Sequence, residues 1–160
     1  MAAQDCLATA ELFATLSAPQ RLRVTAPARV RSASTGARLF DIGEEARELF
    51  VVCRGQVELT FPLVVMGRPR EIRFQVLEPG STLAWSALVP PHRLTMSARA
   101  VTDVEVCTLP REELLAAFAA DPSIGHAVFA RLAQVVAARL LEFQALWVKE
   151  MQRNVSQTYR

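Results

Sequence analysis

Between residues 28 and 109 the chain carries short apolar segments one after another, with no helical pattern between them. They fall at 28–32, 38–40, 49–54, 56–64, 70–77, 94–101 and 104–109. Most are rich in Val, Leu, Ile or Phe and bounded by Gly, Pro, Asp or Arg. Consecutive strands without crossover helices exclude a parallel βαβ sheet and predict an antiparallel roll or barrel. The alternation within them fits a sheet with one buried face. Val57, Leu59 and Phe61 oppose Glu58 and Thr60, while Ile72, Phe74 and Val76 oppose Arg73 and Gln75.

The two ends read as helices. Leu12, Phe13 and Leu16 recur at helical spacing, which predicts a short amphipathic helix over residues 9–16, ended by Pro19 and Pro27. Pro110 opens another helix, with Glu112 and Glu113 in the first turn, where the macrodipole favours acids. Asp121 as N-cap before Pro122 starts a third. From residue 123 to about 150 there is no proline and only Gly125, so that helix would be roughly 40 Å long at ~1.5 Å per residue. Phe129, Leu132, Val136, Leu140, Phe143 and Trp147 form an apolar seam along it. Residues 151–160 read as a polar, frayed tail. The expected organisation is a helical segment at 1–27, a β-roll at 28–109, helices at 110–150 and the tail.

Composition narrows the function. The chain has 160 residues, 51% of them hydrophobic, enough for one domain with a real core. Its net charge of +2 points to neither nucleic acid nor a membrane surface. No apolar run reaches the ~18 residues of a membrane span, and the acidic N-terminus predicts no signal peptide. Cys6, Cys53 and Cys107 are odd in number and far apart, which reads as three free thiols in a reducing cytoplasm. With only His92 and His126 beside them, no metal site is expected. No Gly-x-Ser-x-Gly, HExxH or P-loop occurs, so no enzyme is expected. Arg68, Arg70 and Arg73 read as a solvated hairpin tip, lacking interleaved aromatics.

Three stretches together carry a resemblance: Arg38-Leu-Phe-Asp-Ile-Gly43, Leu49-Phe-Val-Val-Cys-Arg-Gly55-Gln-Val-Glu-Leu59 and Leu77-Glu-Pro-Gly80. With the flanking helices they resemble the cyclic nucleotide-binding domain, as in the catabolite activator protein and the regulatory subunits of cyclic-AMP-dependent kinase. The resemblance runs from about Leu12 to Leu140. It implies a mainly-β (α+β) fold: an eight-stranded antiparallel jelly roll, or double-stranded β-helix, with an N-terminal helix and a long C-terminal one. Gly43 and Gly55 would sit at tight turns with positive φ. The family holds its ligand in a cassette after the Pro-Gly, where a Phe-Gly-Glu pattern meets phosphate and ribose and a later Arg neutralises the phosphate.

Aligned on that pattern, the candidate ligand residues are Thr82, Leu83, Ala84, Trp85, Ser86, Arg93 and Thr95. Leu83 stands for the Phe, Ala84 for the Gly and Trp85 for the Glu. Counted without gaps, Leu94 falls at the family's arginine and Arg93 lies one residue early. The Pro90-Pro91 pair could instead restore Arg93's aim. Ser81, Thr82 and Ser86 read as helix caps or phosphate donors.

The expectation is a cytoplasmic, stand-alone regulatory module with a degenerate pocket. The ligand would be a cyclic nucleotide or another small anion, and the helix start near Thr82 would attract it. The long helix would signal to a protein partner or form a homodimer. The alternative is a ligand-free dimerisation or docking unit with Trp85 plugging the pocket. The ten residues after Glu150 do not supply a DNA-reading helix-turn-helix, so no nucleic-acid partner is expected.

Overall fold

The computed structural model describes residues 3–158. Two four-stranded antiparallel sheets face each other. One has the order β1 (Arg29–Ala33), β8 (Val104–Pro110), β3 (Glu48–Arg54), β6 (Thr82–Leu83). The other has the order β2 (Arg38–Phe40), β7 (Ser97–Ala100), β4 (Val57–Val65), β5 (Arg68–Leu77). This is the antiparallel roll that the strand punctuation predicts, in the eight-stranded jelly-roll form that the resemblance implies. The eighth strand is the two-residue β6, too short to leave a periodic signal. The predicted 94–101 strand shortens to β7, because Leu94 is held instead by loop bonds with Gly43 and Glu44.

Leu49, Val51, Val52, Val106 and Leu109 are fully or almost fully buried between the sheets and the helices that cover them. Both turn glycines have positive φ, +84° at Gly43 and +78° at Gly55. Gly55 is also sterically obligatory, since a Cβ there would lie 2.4 Å from the Asp103 carbonyl oxygen.

The N-terminal segment departs from the expectation. Instead of one helix over 9–16, there are α1 (Ala3–Ala8), a single 3-10 turn (Glu11–Phe13) and α2 (Ala18–Thr25). Leu12, Phe13 and Leu16 are buried as their spacing implies, but by a turn and its flank. Pro19 starts a helix here and does not end one. It stands in the first turn of α2, where Ser17 and Gln20 form a capping box.

The cysteines also depart from the expectation. Cys6 of α1 and Cys53 of β3 form a disulfide, leaving Cys107 as the free thiol. They are 47 residues apart in sequence, and only the docking of α1 across β3 brings their Cα atoms to 5.0 Å.

α3 (Arg111–Ala120) begins after Pro110, with Glu112 and Glu113 in its first turn. α4 (Pro122–Thr158) begins where Asp121 caps it, the Ser123 amide donating to Asp121 Oδ1 at 3.1 Å. It continues as helix to Thr158, so residues 151–158 are not a frayed tail. No helix breaker intervenes, and a polar composition alone does not stop a helix. By length and composition α4 is also apolar enough to cross a membrane, although polar residues interrupt its apolar stretches. Two of its three arginines are tied to this domain, however: Arg131 donates to the Glu11 carbonyl and Arg139 to the Thr82 carbonyl.

The seam divides along the helix. Leu132 is buried, with Ile124, Val128 and Val135 beside it, and Phe129 stacks edge-on against Phe118. Beyond Val136 the seam opens to solvent, with Leu140, Phe143 and Trp147 each about half exposed.

Candidate functional site: an apolar cavity under the long helix

The cassette is positioned from both sides. Gly80 turns the chain at φ +91°, donating to the Val52 carbonyl and accepting from the Glu11 amide at 3.0 Å. A Cβ on Gly80 would approach the Thr9 carbonyl to 2.9 Å, so glycine lets the N-terminal segment pass. β6 then pairs with β3, Thr82 opposite Val51 and Leu83 opposite Phe50. The Thr82 amide donates to Glu11 Oε1 at 2.8 Å, and its carbonyl accepts from Arg139. Thr82 is thus gripped by the N-terminal segment on one side and by α4 on the other.

After β6 the chain reverses at Ala84, which adopts the left-handed conformation at φ +57°, ψ +32°. That is a conformation glycine takes at no cost, and Ala84 stands where the family pattern has its Gly. A single 3-10 turn follows, Trp85–Ala87, with no side-chain cap. The helix start expected near Thr82 is therefore absent, because Thr82 and Leu83 are strand, and one short turn carries little dipole. The Thr82 hydroxyl is buried without a hydrogen-bond partner.

Arg93 and Leu94 leave the next loop on opposite sides. Arg93 is exposed and donates to the Gly43 carbonyl at 3.0 Å. Leu94 is buried, and its backbone bonds to Glu44 and Gly43 hold it there. The prolines do not restore Arg93's aim, and the inward position belongs to a leucine.

Between the second sheet, the cassette and α4 lies a cavity of about 740 Å³. Leu59, Phe61 and Leu63 of β4 and Ile72 and Phe74 of β5 form its floor; of these, Leu59, Phe61, Ile72 and Phe74 belong to the faces that the alternation predicts. Ala84, Trp85, Ser86, Leu94 and Thr95 bound one end. Val136, Leu140, Phe143 and Trp147 of α4 form the opposite wall, where Phe143 meets Phe74 at 5.9 Å between ring centres. Of the sequence candidates, Thr82, Leu83 and Arg93 do not line the cavity. Phe129 and Leu132 are likewise outside it: Leu132 is in the core, while Phe129 is partly exposed beside Phe118.

Two arginines are among the residues that line the cavity, Arg73 and Arg139, and neither is among the candidates read from the sequence. Arg73 is largely exposed and paired with Glu58 at 2.7 Å. Arg139 has only 14% of its side chain exposed, and its nearest carboxylate, Glu11, is 3.6 Å away. Burial pulls the Arg139 guanidinium below the ordinary arginine value, against the opposing charges of Glu11 and Glu142. A signal for Arg139 was available: it stands three residues after Val136 and four before Phe143, on the seam's own face.

The family model of the cyclic nucleotide-binding domain matches residues 30–121, more than half of the chain. The protein belongs to the cyclic nucleotide-binding domain family. Among solved structures, this domain is similar to the catabolite activator protein of Thermus thermophilus, at 27% identity and a TM-score of 0.69. That match covers 86% of this chain and 63% of the other. It is similar also to the N-terminal domain of a transcriptional regulator from Streptomyces coelicolor (25% identity, TM-score 0.69, 84% of this chain, 92% of that one). A cyclic nucleotide-binding domain from Methylobacillus flagellatus shares the fold at 18% identity, with a TM-score of 0.77 over 91% of this chain and 81% of its own. No curated protein matches the chain.

Proposed function

We propose that this cyclic nucleotide-binding domain is a non-enzymatic regulatory sensor whose pocket has lost the family's contacts to cyclic nucleotide and whose long helix relays occupancy. The observation that carries this reading is the inward side chain of Leu94, with Trp85 beside it. Where the family presents an arginine to the phosphate and a glutamate to the ribose, this chain presents an alkyl group and an indole. Neither can replace a charged hydrogen bond, each worth about 1.5–3 kcal/mol.

The relay follows from α4 being a wall of the same cavity. A ligand touching Leu140, Phe143 or Trp147 changes what that helix face can pack against. We assign the half-exposed face to a second copy of the chain, as large apolar side chains each gain about 1.5–3 kcal/mol on burial. The alternative of a plugged pocket is the weaker one, because Trp85 borders an open cavity and does not fill it. We place the sensor in the cytoplasm, where the Cys6–Cys53 disulfide would owe its persistence to the burial of both residues.

The test is calorimetric titration of the full chain with cyclic AMP and cyclic GMP. No binding below millimolar is expected. Micromolar affinity that falls on Arg93→Ala would overturn the reading.

A further inference from the structure

We infer that the cavity under α4 takes a hydrophobic monocarboxylate, its carboxylate on Arg139 and its apolar body along the walls of β4, β5 and α4. This rests on the reading above that the pocket does not serve cyclic nucleotide, and it names the ligand class of that same site. Size permits a small molecule, since ligand pockets run to about 300–1,000 Å³. The lining decides its polarity. Apart from the hydroxyls of Ser86 and Thr95, the polar side chains at the cavity are Arg73 and Arg139. A sugar or a nucleoside would leave its hydroxyls unpaired against carbon.

The two arginines decide the charge. Arg73 already has a carboxylate at hydrogen-bond distance, so it asks for no anion. Arg139 does not. Its hydrogen bond goes to a neutral carbonyl, and its ion pair with Glu11 spans 3.6 Å, beyond hydrogen-bond distance, because Glu11 Oε1 already accepts the Thr82 amide. A guanidinium so desolvated, with a planar fork and only a long ion pair, matches one carboxylate, and the other arginine lining the cavity, Arg73, is held by Glu58 and offers no second charge for a diphosphate.

The helix sets the length. Phe143 and Trp147 follow Arg139 by one and two turns, so the wall extends ~12 Å along the helix from position 139 at ~1.5 Å per residue, roughly the span of a ten-carbon chain.

Dodecanoate, kept below its micelle threshold, is the probe. The chain's two tryptophans, Trp85 and Trp147, both line the cavity, so intrinsic fluorescence reports binding directly. We expect micromolar dodecanoate binding, at least tenfold tighter than that of methyl dodecanoate. We expect a loss of tenfold or more in Arg139→Gln. Because Arg139 also holds the cassette, Ile72→Glu provides the second variant. That side chain is 44% exposed on the cavity floor, and the change should abolish binding while the melting temperature stays near wild type. Absence of dodecanoate binding, or binding undiminished in both variants, would overturn the inference. Micromolar cyclic-AMP binding would instead overturn the reading on which it rests.

Discussion

Arg139, on the long helix, donates a hydrogen bond to the main-chain carbonyl of Thr82, at the start of the cassette. This one contact joins the cassette to the helix that carries the exposed apolar face. Before it, α4 is anchored by Ile124, Val128, Leu132 and Val135, all buried; beyond it, every residue up to 157 is exposed. Replacing Arg139 by alanine should therefore loosen the distal helix selectively. Amide exchange should speed up over residues 140–157 and stay slow over 124–135, since local opening follows local burial. Uniform acceleration along α4 would show that Arg139 is not its clamp.

Gly55 should be the costlier of the two turn glycines to replace. At Gly43 a Cβ meets nothing within 4 Å, so Gly43→Ala should lose only the left-handed penalty, about 1 kcal/mol. At Gly55 the same penalty is joined by a 2.4 Å clash with a backbone oxygen, and Gly55→Ala should lose at least about 2 kcal/mol. Urea denaturation of the two variants, compared at equal m, measures the difference.

Without reductant, the denatured protein should titrate one thiol, and after reduction three. Closing a loop of 47 residues limits the unfolded chain, by about 4 kcal/mol on the chain-entropy view, so Cys6→Ser should lower the melting temperature clearly. Three thiols in the unreduced protein would remove the disulfide from the account.

What the sequence made legible and what it hid divide by range. Strand alternation and turn glycines are local, and they located the roll, the shared face of Leu59 and Phe61 that proves to line the cavity, and Gly43 and Gly55 as positive-φ turns. The disulfide and the grip of Glu11 and Arg139 on Thr82 join residues dozens of positions apart, and no local pattern encodes them. Pro19 misled for a different reason: proline ends a helix from within but starts one from its first turn, and only the capping box tells the cases apart. Arg93 and Leu94 show the sharpest limit, since a shift of one residue in a loop decides which of them faces the pocket.

The free thiol should make the fold sensitive to alkali. Burial pushes Cys107 from the ordinary value of 9.0 up to about 11. Between those values the unfolded chain sheds the thiol proton while the folded chain keeps it. Stability from this group is thus complete below pH 9 and falls as pH rises towards 11, by about 2–3 kcal/mol in all. The wild type should lose stability between pH 8.5 and 10.5 more steeply than Cys107→Ala, measured by urea midpoints, and equal slopes would assign the loss to other groups.

The cassette itself can be rebuilt. Ala84 already holds the left-handed conformation that suits glycine, and Leu94 already points inward. The triple variant Ala84→Gly, Trp85→Glu, Leu94→Arg therefore places the family's side chains on an existing backbone. Each restored charged hydrogen bond is worth about 1.5–3 kcal/mol, and each ~1.4 kcal/mol is tenfold, so cyclic-AMP affinity should rise by two to four powers of ten. The price is paid in the empty state. An arginine at position 94 and a glutamate at 85 would sit beside apolar walls without a partner, so the unliganded variant should melt below wild type. Saturating cyclic AMP should recover that loss, by about 2.7 kcal/mol at a hundred times the dissociation constant. A variant that melts low and is not rescued by cyclic AMP would mean that the pocket's shape, set by the α4 wall, excludes the nucleotide whatever side chains the cassette presents.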